Sequence, residues 1–201
     1  MLQFLHVPPK PTGRVDRPLT EKLDYFSAAL GIMFALYYTT LRIFQVYPVS
    51  EGTKLTLLTR PTKSHHHRVL ATVLTLAYIG HVSYLNFSPQ FDYSYNIAFN
   101  LGIGTIHNIM WIVYSLPSSM SLIHRFPFEP KSYRPSFVSK AAILTFSTMG
   151  ASAFELFDFP PWFRIIDAHS LWHLATAPIA IVWYDFIIED SLDPSWREQK
   201  S

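Results

Sequence analysis

The chain has 201 residues, of which 49% are hydrophobic, 16% aromatic and only 15% charged, well below the roughly 25% charge of an average soluble domain. A net charge of +2, with the basic residues gathered in short loops, excludes a nucleic-acid-binding class. The sequence holds no cysteine, which excludes a disulfide framework and thiolate chemistry.

In chain order, "MLQFLHVPPKPTGRV" lacks the apolar core of a signal peptide and reads as a loop. Five apolar runs follow, at about Phe26 to Val46, Val69 to Phe87, Ile97 to Leu116, Ala141 to Phe157 and His169 to Ile188. Each is near the roughly 17 to 25 residues that cross a bilayer as helix. They predict an all-α, polytopic membrane helix bundle. Residues 1–25 form a lumenal segment in this reading, 26–188 the five transmembrane helices and 189–201 a cytoplasmic tail. One side collects Lys54, Arg60, Lys63, Arg68, Arg125, Lys131, Arg134, Lys140, Arg197 and Lys200, the other only Lys10, Arg14, Arg17, Lys22 and Arg164. Cytoplasmic loops carry the excess of Lys and Arg, so this bias points the carboxyl terminus to the cytoplasm and the amino-terminal end to the lumen.

The polar residues left over on the lumenal side are the candidates for chemistry. Asp24 opens the first helix in "TEKLDYF". His81 and Ser83 lie in the outer half of the second, Asp92 sits in "FDYSYN", and Glu155 and Asp158 end the fourth. "FPPW" breaks the chain before Asp167, whose carboxylate suits the free N–H groups at the start of the last helix. His169 and His173 then stand at i and i+4 on one face, the spacing by which a helix offers two nitrogens to one zinc ion. The alternative is a pair of satisfied interfacial histidines beside Trp172. Asp24, in turn, also reads as an ordinary first-turn carboxylate, and His81 as a histidine bonded inside the bundle. "SHHHR" at Ser64 to Arg68 reads as a solvated flank, and "NFS" at Asn86 as an unused glycosylation acceptor.

Together "PLTEKLDYFSA", "HVSYLNF" with "FDYSYN", "ELFDFPPWF" and "DAHSLWH" resemble the post-GPI-attachment-to-proteins factor 3 family, lipid-remodelling membrane proteins of the CREST hydrolase superfamily, from about Asp16 to Leu192. The resemblance implies a seven-helix architecture in the endoplasmic reticulum membrane, with the Golgi as the alternative. It also implies a zinc-dependent phospholipase A2 that removes the sn-2 acyl chain of the GPI lipid. Carried over residue by residue, it makes Asp24 the catalytic carboxylate and His169 and His173 two of three zinc-binding histidines, with His81 and Ser83 as accessory polar residues. The family's Ser and first His would fall at Pro9 and Gly13, which supply neither hydroxyl nor ligand. The expectation is therefore an N-terminally truncated relative of five helices, and two alternatives stay open: a catalytically weak receptor or scaffold, and a ceramidase-like amidase.

Overall fold

A computed structural model describes residues 18–46, 63–157, 159, 161–163 and 166–196. Among the described residues five α-helices carry the fold: α1 Pro18–Phe44, α2 Lys63–Phe87, α3 Tyr93–Ser115, α4 Val138–Leu156 and α5 Ala168–Leu192. Four of them hold stretches long and apolar enough to cross a membrane, Lys22–Phe44, His65–Phe87, Tyr93–Ser115 and Ser170–Leu192. The protein is thus a multi-pass helical membrane bundle. The fourth apolar run is also a helix, but α4 is not among those four. Its 19 residues rise about 28 Å, close to a bilayer core, yet they include Lys140, Glu155 and a run of hydroxyl residues.

Hydrocarbon offers no hydrogen bonds, so polar side chains in these helices must be satisfied from within. Thr39, Thr40, Thr145, Thr148 and Thr176 each donate a hydroxyl to the carbonyl four residues back, at 2.7 to 2.9 Å. That local bond is why threonine is tolerated on apolar helices here. At the end of α1, Gln45 adopts a left-handed φ of 54°, and the Val46 N–H bonds to the Leu41 carbonyl at 3.0 Å, a 6→1 bond that stops the helix.

Successive helices run antiparallel. Tyr78 of α2 reaches the Phe26 carbonyl of α1, Tyr84 of α2 meets Tyr95 of α3, and Lys140 of α4 meets Glu189 of α5. Consequently the start of α1, the end of α2, the start of α3 and the start of α5 share one end of the bundle. The opposite end carries the core cluster, formed by Ile43, Trp111, Tyr114, Phe126, Phe137 and Phe186.

Two buried arginines organise that end. Arg42 pairs through Nε and Nη2 with the Asp190 carboxylate, and Tyr114 donates its hydroxyl to the same group at 2.6 Å. Arg42 Nη1 also donates to the Arg125 carbonyl at 2.6 Å, fastening the α3–α4 loop. The Arg125 guanidinium donates to the Tyr114 and Leu116 carbonyls, so a cation meets the unpaired carbonyls at the end of α3, where the helix dipole favours it. Burial lowers the pKa of Arg125 from its ordinary value.

α1 begins at Pro18, ahead of its apolar run, because Lys22 and Asp24 interrupt that run without interrupting the helix. The segment from residue 189 packs onto the bundle as far as Trp196, whose indole N–H donates to the Asp190 carbonyl at 2.6 Å. Residues 1–17 and 197–201, with Pro9 and Gly13, lie outside the described residues.

Candidate functional site

The α5 entrance is set by its sequence. Trp162 and Ile166 exchange two backbone hydrogen bonds at 2.8 and 3.1 Å, closing a tight turn after the prolines, and Phe163 within it has a φ of 52°. Asp167 then caps α5, accepting from the Ser170 N–H at 2.8 Å and from the Ser170 hydroxyl. This is the N-cap that the sequence predicts. It fixes where the first turn starts and hence which face carries positions 169 and 173. Asp167→Ala is expected to lower stability by about 1 kcal/mol, with Asp167→Ser recovering most of the loss, as read by thermal unfolding in detergent.

His169 and His173 are both in α5, one turn apart. His173 is exposed, its ring against Trp172 with centroids 4.5 Å apart; the His169 side chain lies outside the described residues. α5 continues unbroken through Pro178 to Leu192. Asp24 sits on the exposed side of α1 at the same end of the bundle, and its carbonyl accepts the Ser27 hydroxyl at 2.9 Å. Among the described residues no three His, Asp or Glu side chains gather closely enough to hold a metal ion. The described polar contacts between α1 and α5 are at the other end, through Arg42 and Asp190.

The accessory candidates belong to α2, and His81 faces α3. His81 is buried, stacked on Phe99 with ring centroids 4.0 Å apart and planes at 16°. It lies beside Asn96, yet neither ring nitrogen reaches hydrogen-bond geometry. Ser83 is half-buried on the same helix. Asp92 caps α3, accepting from the Tyr95 N–H at 2.9 Å and the Tyr84 hydroxyl at 3.0 Å, which occupies both its oxygens in a structural role. The side chains of Glu155 and Asp158 lie outside the described residues.

One intramembrane histidine escaped the sequence reading. His107 of α3 accepts the Trp111 indole N–H on Nε2 at 3.1 Å and meets Asn108 Oδ1 through Nδ1 at 3.2 Å. With Nε2 accepting, Nδ1 carries the proton, so both nitrogens are used and the residue is structural. An ionisable group in the middle of "GIGTIHNIMW" was the signal available.

Two residues of zinc-ligand type at i and i+4 fit part of a catalytic zinc site, which takes three protein ligands. The third does not stand among the described residues.

The Per1-like family matches residues 14–191. The chain is 35% identical over 175 residues to the "Protein PER1 homolog" of Schizosaccharomyces pombe, covering 86% of this chain and 45% of that protein. It is 34% identical over 177 residues to the "GPI-specific phospholipase A2-like PGAP3" of Danio rerio, covering 88% and 47%. The Homo sapiens protein of the same name is 33% identical over 177 residues, covering 88% and 46%. The chain therefore spans about half the length of the curated relatives it matches. No solved structure matches it.

Proposed function

The chain belongs to the Per1-like family, and from that premise we propose that it acts in the lipid remodelling of GPI anchors, hydrolysing the sn-2 acyl ester of the GPI lipid in the endoplasmic reticulum membrane. The observation that carries the reading is the extent of the family match, residues 14–191, which takes in Asp24, His169 and His173 together. The fold supports it by bringing the Asp24 end of α1 and the His169–His173 turn of α5 to one end of the bundle. With the basic loops at the opposite end, that end faces the lumen, where GPI-anchored proteins carry their lipid.

In this reading the ester reaches the Asp24 end from the bilayer, its acyl chains remaining among the apolar helix faces. Asp24 takes the proton from the attacking water as the new C–O bond forms at the carbonyl carbon. Collapse then breaks the ester C–O bond as protonated Asp24 returns its proton to the leaving alkoxide oxygen, giving a fatty acid and a lysolipid. His169 and His173 would hold a zinc ion, which when bound would lower the pKa of a water toward about 7 and polarise a carbonyl. The Asp167 cap fixes the start of the helix that carries both histidines.

Disrupting the gene in its source cells tests the reading, with the GPI lipid of surface proteins examined by mass spectrometry. The expected result is retention of the original sn-2 chain, reversed when the gene is restored. Unchanged sn-2 chains in the disrupted cells would sink it, and ceramide accumulation beside unchanged GPI lipid would move the assignment to amide hydrolysis.

A further inference from the structure

The seam between α1 and α2 has a feature that the hydrolysis does not use. Lys22, Phe26, Leu30, Met33 and Tyr37 follow one another at spacings of four, four, three and four residues, which puts them on one stripe of α1. The contacts place that stripe against α2: Lys22 Nζ donates to Asn86 Oδ1 at 3.1 Å, and the Tyr78 hydroxyl donates to the Phe26 carbonyl at 3.2 Å. Below this tie the helices part. Leu30, Met33 and Tyr37 face Leu74 and Tyr78 across a mostly apolar groove of about 290 Å³. That volume lies at the lower edge of the roughly 300 to 1,000 Å³ typical of ligand pockets. Asp24, two residues from Lys22, is off this stripe, since positions i and i+2 of a helix do not share a face.

An apolar groove at membrane depth suits an acyl chain and not water. A cation stands at its surface end and an apolar channel runs beneath, from about 12 to 22 Å below Lys22 along the helix axis. Charge at one end and apolar depth at the other match a phosphate ester carrying an acyl chain. We propose that the α1–α2 seam binds one glycerophospholipid of the bilayer, its phosphate on Lys22 and one acyl chain in the groove, as a site separate from the Asp24 face.

The test is native mass spectrometry of the full chain, purified in mild detergent and offered dioleoyl phosphatidylglycerol or dioleoylglycerol, which shares the acyl chains but lacks the phosphate. The expected result is one phosphatidylglycerol retained and much less dioleoylglycerol. Lys22→Gln should weaken retention about fivefold, the effect of one surface lysine on an anionic lipid. Leu74→Trp should fill the groove and abolish retention, whereas Leu174→Trp on the bilayer-exposed face of α5 should change nothing. Circular dichroism and gel filtration check that each variant is folded. Equal retention of the two lipids, or retention unchanged in both Lys22→Gln and Leu74→Trp, would overturn the proposal. These results stand whether or not the protein hydrolyses GPI lipid, because binding is read without turnover.

Discussion

Asp190→Ala is expected to cost about 3 to 5 kcal/mol of stability, and Arg42→Ala a similar amount. Both side chains are only 2% exposed. A buried ion pair with one partner removed leaves an uncompensated charge, and that penalty sets the magnitude. Neutral hydrogen bonds between membrane helices average only about 0.6 kcal/mol, so loss of a bond alone would not produce it. Here the remaining Arg42 would keep the Arg125 carbonyl at 2.6 Å and the rings of Phe126 and Trp196, with its guanidinium carbon 4.4 Å from the Trp196 centroid. Those contacts soften the loss without neutralising the charge. Asp190→Asn, which keeps an acceptor, should cost less than Asp190→Ala.

A double-mutant cycle separates the pair from its surroundings. Arg42→Met with Asp190→Leu removes both charges, and the double variant should lose clearly less stability than the two single changes summed. The Tyr114 hydroxyl and the Arg125 carbonyl would still lack partners, so recovery stays partial. Unfolding in detergent measures the cycle. Single variants costing under about 1 kcal/mol with no coupling would mean that the aromatic cluster around Trp111 and Phe186, not the ion pair, holds this end together.

That ion pair was invisible in the sequence for a physical reason. Arg42 and Asp190 are 148 residues apart, and each alone, at the end of an apolar run, reads as a charge reaching for the membrane surface. Only the parallel placement of α1 and α5 makes them partners. What was legible is local. Apolar runs mark where the helices lie because hydrocarbon admits little else, and the Asp167 cap follows from a breaker and a carboxylate in sequence. α1 starts before its apolar run because polar residues at a helix end break hydropathy but not helix geometry. His81 was placed on the correct helix, but its direction depends on how α2 turns toward Phe99, which spacing within α2 does not encode.

On the proposed function, His173→Ala is expected to reduce sn-2 remodelling of the GPI lipid by at least about a hundredfold, the upper range seen when groups that merely support a metal ligand are removed. His173 is exposed on α5, so truncating it creates no cavity, and the stability of the bundle should barely change. His81→Ala should do the reverse: removing a buried ring stacked on Phe99 loosens the α2–α3 contact, lowering stability while leaving the remaining folded protein active. The comparison distinguishes chemistry from architecture. Asp24→Asn extends it, since an amide fills the same space but cannot take a proton from water. Sn-2 chains measured in cells carrying each variant, against the amount of folded protein, give the two axes. If His173→Ala and Asp24→Asn keep full remodelling at normal protein levels, the α1 and α5 faces are not the reacting site. If remodelling falls only in proportion to the folded protein, these residues support the bundle and the ester is cleaved elsewhere.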